Sequence, residues 1–344
     1  MSNPGRALAF ASSFTVCLLA AGSLAITLFG RPHGPAITLD LAAAPVAHTA
    51  AAPAAPEATT PAPAAVTKPI YAGKALLADP ALIENTPEGP LPRIADDGRK
   101  PMTAYAAPAA FSAAASNGAK FKIAIVVSGL GLSASATKAA IDALPPAVTL
   151  GFAPYAEDVS SWVSEARAKG HELLLEIPME PFDFPDSDPG PHTLRSGQND
   201  EANLQRLTWA LTRFTGYAGV TNLLGQRFLS DSDALSPTMT YLNRRGLYFF
   251  DNGSAAQSVT PIVAGQVGMP LAQSGPAIDS IQTALEIDRR LSDLETQARA
   301  NGSAVGSAFL YPVTIARLAD WAKGLQARGF VLVPVSAIVN AQKQ

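Results

Sequence analysis

From residue 121 onward the chain predicts an α/β fold, a parallel sheet with helices outside it, either open or closed into a barrel. Three observations predict this. Short β-branched or aromatic runs, such as FKIAIVVSGLG (121–131) and LYFFDN (247–252), end in glycines or turn residues. Segments with helix start and stop signals separate these runs. Strand and helix alternate to the last run, which is the pattern of consecutive βαβ units. Repeats of short period are absent.

The elements follow in order. FKIAIVVSGLG reads as a buried strand. Residues 133–144 form a helix with a serine start and a Pro-Pro stop. VTLGFAP (148–154) is a strand, 160–169 a helix ended by Gly170, and HELLLEIP (171–178) a strand. A connection rich in Pro, Asp and Gly runs over 179–199. A helix over 200–215 closes at Gly216, YAGVTN (217–222) is a strand, and a helix over 235–245 ends at Gly246. After LYFFDN comes a short helix within 258–267. A long amphipathic helix spans 279–300, with Leu285, Leu291 and Leu294 on one side. AVGSAF (304–309) is a strand, 313–328 a helix, and FVLVPVS (330–336) the last strand.

The first third has a different composition. Residues 7–29 carry no charge and are long enough to cross a bilayer, which takes about 20 residues. Arg6 and Arg31 flank the run, so orientation is weakly specified. A signal peptide is the rival, but its apolar part is shorter and ends at a small-residue cleavage site. The uncleaved anchor over 1–30 is favoured. The single cysteine, Cys17, lies inside this run, so disulfides within the monomer and cysteine metal sites are excluded. Residues 31–120 read as an Ala/Pro-rich disordered linker, because repeated proline prevents helix and few large apolar groups remain to build a core. The more apolar 71–94 either docks on the domain or on a partner, or continues the spacer, with spacer favoured. The globular domain is expected over 121–344. A net charge of −3 gives no nucleic-acid footprint.

Several stretches carry a specific resemblance: LGLS (130–133), GHELLLEIPMEP (170–181), DPGPHTLRSG (188–197), GYAGVTNLLGQRF (216–228), RRGLYFFDN (244–252) and LVPVS (332–336). In order and spacing the chain resembles the divergent polysaccharide deacetylase family, a branch of the NodB-like carbohydrate deacetylases. The resemblance implies a distorted NodB-like (β/α) barrel, a groove at the C-terminal ends of the strands, an active-site cation and a glycan substrate. It also exposes departures. Where the family has two adjacent aspartates at the end of the first strand, this chain has Ser128 and Gly129. Where the family carries histidine or glutamine before the PME proline, the residue is Glu176. The Asn-Asn-His-Met-Gly turn becomes Thr221-Asn222-Leu223-Leu224-Gly225, and the late Gly-His-Pro turn becomes Ala308-Phe309-Leu310. Asn222, Asp251, Asp279 and Glu180 are retained.

Each candidate residue has two readings. Glu176 is either the polar floor of the groove or a charge paired with a structural Arg or Lys. Glu180, between two prolines, either faces ligand or shapes its loop. Asn222 and Asp251 end strands at the rim, where such folds place chemistry. Asp251 is the weak catalytic candidate, lacking a histidine or cation partner in view. Arg227 faces ligand or pairs with Asp231 or Asp233. Phe309, with Leu223 and Leu224, makes the rim greasy: either an apolar patch for a partner or sugar face, or a collapsed pocket. His171 reads as a structural imidazole and His192 as a solvated loop residue.

Two functions are therefore expected. The first is a metal-free, cofactor-free, catalytically degenerate envelope protein, anchored once in a bacterial inner membrane with its domain in the periplasm. Its partner is an envelope glycan or a periplasmic protein. The second is a working carbohydrate deacetylase with relocated ligands (Asp251, Glu176, Asp279 and His171) around a divalent cation such as zinc.

Overall fold

The computed structural model describes residues 78–107 and 120–339. The proposed anchor over 1–30 and the first part of the proposed spacer lie outside the described residues. Among the described residues no helix is long and apolar enough to cross a membrane.

The main sheet is parallel throughout. It contains β3 (Phe121–Leu130), β4 (Thr149–Phe152), β5 (Leu173–Met179), β6 (Gly219–Leu224), β7 (Tyr248–Asp251), β8 (Leu271–Gln273), β9 (Ser303–Phe309) and β10 (Phe330–Leu332). Strands β3 to β8 pair in chain order. β9 lies along one edge of β3, from Lys122 to Ser128. β10 and β4 share the other edge, β10 beside Phe121–Ile123 and β4 beside Val126–Leu130. The gap between β8 and β9 is bridged by single bonds rather than a ladder: Ile278 N–H donates to Ser307 O at 2.8 Å, and Ser274 Oγ lies 3.3 Å from Ser307 Oγ. The result is a nearly closed (β/α) barrel.

Two apolar clusters follow from strand alternation. One, with Ile123, Ile125, Val127, Leu150, Leu175 and Phe249, lies between the strands and the helices. The other fills the barrel with Ala124, Val126, Leu174, Tyr248, Phe250 and Ala272. The helices pack outside: α2 (Ala134–Ala143), α3 (Val159–Ala168), α4 (Asp200–Leu211), α5 (Ser232–Arg244), α6 (Thr260–Val267), α7 (Ala284–Asn301) and α8 (Pro312–Lys323); the short α9 (Ser336–Val339) instead adds Ile338 and Val339 to the inner cluster. Side-chain N-caps set several starts: Ser133 on α2, Asn199 on α4, Asp231 on α5 and Thr283 on α7.

The elements differ from expectation in four places. β8 has only three residues and sits inside what reads as a connection. The long helix begins at Ala284, because Thr283 caps it, so Asp279 precedes it. Its buried stripe is Ile287, Leu291, Leu294 and Ala298, while Leu285 is 82 % exposed. The last strand stops at Leu332, and Pro334 separates it from α9.

The spacer expected over 31–120 does not hold across 78–107. There, β1 (Ile83–Thr86) and β2 (Gly89–Pro92) form an antiparallel hairpin, followed by the short α1 (Pro101–Ala104). Leu82, Leu91, Met102 and Tyr105 are buried. Met102 N–H donates to Gly246 O at 3.0 Å, just before β7. Arg245 binds the Glu84 carboxylate. These contacts close the barrel at the N-terminal ends of its strands. Docking, which the sequence left as an alternative for 71–94, is the outcome over 78–94; residues 71–77 lie outside the described residues. A proline-rich segment with few apolar side chains can still be ordered when several of them bury against the domain.

Candidate functional site at the barrel mouth

The C-terminal ends of the strands form the mouth, and alternation decides which side chains face into it. Ala124, Val126 and Ser128 share the inward face of β3. In register with them, Val305, Ser307 and Phe309 face inward on β9. Leu174 and Glu176 do so on β5, and Thr221, paired with Glu176, on β6. The upper interior therefore carries Ser128, Glu176, Thr221 and Ser307.

Glu176 is fully buried. Its Oε1 accepts the Gly129 N–H, and its Oε2 has no partner among the described residues. No Arg or Lys pairs with it among the described residues, so the ion-pair reading gives way to the polar-floor reading. Burial pushes its carboxyl up to about 8, against the opposing pull of the Gly129 amide. Burial therefore favours its protonated, neutral form.

Phe309 decides the shape of the mouth. Gly129 has φ +89°, and a Cβ there would lie 2.5 Å from Phe309 Cζ, so the ring rests directly on the glycine. Phe309 N–H donates to Asp279 Oδ2 at 2.7 Å, and Thr314 Oγ1 donates to the same oxygen at 2.9 Å. Burial raises the Asp279 carboxyl above its ordinary range. Beside the ring a pocket of about 110 Å³ remains, lined by Ser128, Asn252, Ser254, Asp279, Ser307 and Phe309. The pocket is thus narrowed rather than wholly collapsed.

Asp251 does not face the mouth. It shares the outer face of β7 with Phe249, towards α6. Its Oδ1 accepts Gly253 N–H at 3.0 Å. Its Oδ2 accepts Ser258 Oγ at 2.7 Å, Thr260 Oγ1 at 2.6 Å and Gln273 Nε2 at 3.2 Å. This is a fully engaged carboxylate that pins the β7–α6 turn. Asn222 is equally committed: its Nδ2 donates to Leu224 O, Asn252 Oδ1 and Ser254 Oγ, and its Oδ1 accepts Asn252 N–H. It ties the ends of β6 and β7 together.

Glu180 joins two loops. Its Oε2 accepts Ser196 N–H at 2.7 Å, and its backbone carbonyl accepts from Arg227 and Phe228. Exposed Arg227 lies 3.9 Å from the Glu180 carboxylate, while Asp231 caps α5 instead. Buried His171 bonds Val148 O through Nδ1 at the opposite end of β5, and burial lowers its pKa. His192 stacks on Trp209 with ring centroids 3.6 Å apart. Among the described residues, neither histidine lines the pocket beside Phe309.

Sequence reasoning missed Glu172, four residues before Glu176 and so on the same strand face. At the base of the barrel it accepts Tyr248 Oη at 2.8 Å, Ala107 N–H at 3.0 Å and Ser336 N–H at 3.1 Å, and it also binds Ser336 Oγ. Nearby, buried Arg167 donates to Tyr105 O at 2.8 Å and to Gly216 O, and burial pulls its pKa down to about 10. The spacing of Glu172 and Glu176 was the available signal for two interior carboxyls at two heights.

With this geometry in place, comparison with known proteins is decisive. The sequence profile of the divergent polysaccharide deacetylases matches residues 125–339. The chain belongs to that family. It is 24 % identical to the Escherichia coli protein YibQ over 243 residues, which is 70 % of this chain and 74 % of YibQ. It is 26 % identical to a Haemophilus influenzae protein over 200 residues, 58 % of this chain and 70 % of that one. The crystal structure of ATU2773 from Agrobacterium tumefaciens superposes with a TM-score of 0.69 and 42 % identity, covering 73 % of this chain and 99 % of the other.

The family resemblance implies a divalent cation, and the residues present do not fit one. A cation site needs several free oxygen, nitrogen or sulfur donors converging on one point. Asp251 turns to the outer layer, Asn222 has spent its amide, and Asp279 Oδ2 already accepts two bonds. The Phe309 ring occupies the space above Gly129. Among the described residues no three of His, Cys, Asp and Glu come together as a metal-ligand set.

Proposed function

We propose that this member of the divergent polysaccharide deacetylase family binds a carbohydrate of the cell envelope without hydrolysing it. One observation carries the reading: the Phe309 ring sits on Gly129, where the resemblance would put a carboxylate. Amide hydrolysis by this class needs a cation to polarise the carbonyl and activate water. What remains is a small pocket lined by serines, one asparagine, the Asp279 carboxyl and one aromatic wall, which suits a sugar edge and its C–H face. The uncharged stretch over 7–29 supports a membrane tether, with the domain on the periplasmic side of a bacterial inner membrane.

A periplasmic protein is the second ligand class. Exposed Leu132, Phe182, Ile281 and Leu285, all on or next to loops at the mouth end, favour it. The test combines three measurements on full-length protein purified with zinc supplied throughout: metal content, acetate release from N-acetylated oligosaccharides, and calorimetric titration with soluble envelope glycan fragments. Binding without stoichiometric metal or acetate is expected. Tightly held zinc together with acetate release would establish the hydrolase instead.

A further inference from the structure

A cavity of about 300 Å³ lies away from the mouth, on the outer side of the barrel, with Pro90 of the sealing hairpin in its wall. Ser160, Val163, Ser164 and Arg167 form one side of it, and their spacing of three and four residues puts them on one face of α3. Arg213, Phe214 and Thr215, in the turn that follows α4, form the other side. The cavity is thus a groove between a helix face and a turn. Among the described residues no acid lines it.

Two of its walls are arginines, and among the described residues no carboxylate pairs with either. Arg167, 5 % exposed, donates to the carbonyls of Tyr105 and Gly216, and Glu172 acts on it only through space. Arg213 Nε donates to Trp209 O at 3.0 Å and its Nη2 to Thr212 Oγ1 at 2.8 Å, which leaves Nη1 unused. Its guanidinium carbon stands 4.6 Å from the centre of the Trp209 ring, so the head is held in place without an acid. Elsewhere the domain pairs its arginines: Arg99, Arg245, Arg289, Arg317 and Arg328 each hold a carboxylate. Outside the described residues only Asp40 and Glu57 carry side-chain acids, so the chain has little of its own to offer this groove. A guanidinium fixed at the edge of a cavity with a free nitrogen is a ready anion contact, because little reordering is needed to use it.

We infer that this groove binds a carboxylate carried on a short apolar body. The carboxylate accepts from Arg213 Nη1 and from the hydroxyl of half-buried Thr215, two residues on. The buried charge of Arg167 adds an attraction that no wall residue cancels. Val163, Phe214 and Pro90 receive the apolar body. A cation would meet two positive charges there, and a neutral group would gain the apolar walls alone. A phosphate, with more charge and more oxygens to satisfy, finds only one guanidinium with a free nitrogen and fits less well. The carboxylate belongs either to a free aliphatic acid or to the C-terminus of a peptide. This site is separate from the mouth and does not rest on the carbohydrate reading.

The experiment uses the full chain and three probes of equal chain length: hexanoate, hexan-1-ol and hexylammonium. Thermal midpoints are recorded with each probe, and affinities are measured by calorimetric titration. At about 20 mM, hexanoate should raise the wild-type midpoint by about 3 °C, hexan-1-ol by less than half of that, and hexylammonium not at all. Arg213→Gln should weaken hexanoate binding at least about fivefold and leave hexan-1-ol unchanged. Ser164→Phe places a ring in the groove from an exposed helix position and should abolish binding of both. It still reads the groove if Arg213→Gln fails to fold. N-acetyl-alanyl-leucine separates the two sources: binding tighter than hexanoate assigns the groove to a peptide terminus, and weaker binding assigns it to a free acid. Equal shifts with hexanoate and hexan-1-ol, hexanoate binding that survives both substitutions, or no shift with any probe would overturn the inference and leave the function proposed for the mouth untouched.

Discussion

Replacing Glu176 by glutamine should remove a large part of the pH dependence of folding stability. The folded carboxyl titrates at about 8, against a value of 4.5 for the free group. Between those values the unfolded chain has lost the proton and the folded chain still holds it. Unfolding then releases a proton, so stability falls as pH rises. The contribution is complete below pH 4.5, declines through the interval, and is gone above about pH 8. One pH unit corresponds to ~1.4 kcal/mol, so the whole interval is worth on the order of 5 kcal/mol. Glutamine cannot titrate, yet its carbonyl can still accept the Gly129 N–H that Glu176 Oε1 accepts. Urea unfolding of both proteins at closely spaced pH values from 4 to 9 reads the difference directly, provided the m-values agree. Subtracting the curves cancels His171, whose burial-lowered pKa acts with the opposite sign on the acid side. The difference should grow in favour of Glu176→Gln from about pH 5 and level off above about pH 8. Parallel curves would show that Glu176 is ionised in the fold and would refute a dry, neutral floor.

Four further outcomes follow from the contacts. Gly129→Ala should cost about 2–3 kcal/mol in chemical unfolding, since it forces a left-handed φ of +89° and a clash with Phe309; adding Phe309→Ala should restore part of that loss. Asp251→Asn should lower stability by about 2 kcal/mol, because an amide hydrogen would face hydroxyl donors that now converge on Oδ2. A fragment starting at 121 should melt on the order of 10 °C below one starting at 78, or aggregate, because it uncovers the surfaces under Leu82 and Tyr105 and strips Glu172 of the Ala107 N–H. Prolonged chelation, or added zinc, should leave the melting midpoint unchanged; a rise with zinc would show a site that binds the folded state.

Much of the fold is local in origin and therefore readable. FKIAIVV is apolar and β-branched enough to be a buried strand wherever it sits, and Ser133 or Asn199 can cap a helix with no distant help. β8 was not readable because three residues carry no periodicity. The candidate site was legible only as a set of positions. Glu176 and Phe309 do reach the mouth, but Asp251 turns away, since register makes it a neighbour of Phe249's face rather than of Phe250's. Nothing near Asn222 in the chain announces Asn252 as its partner, thirty residues on.

The amino-acid order alone determined the barrel class, the family and which residues stand at the strand ends, because these depend on residue identity and short-range spacing. Folding in three dimensions decided which carboxyls face inward, that Phe309 roofs Gly129, and that residues 78–107 seal the base. Those outcomes rest on strand register and long-range packing. A shift of one residue would reverse each face without changing the composition.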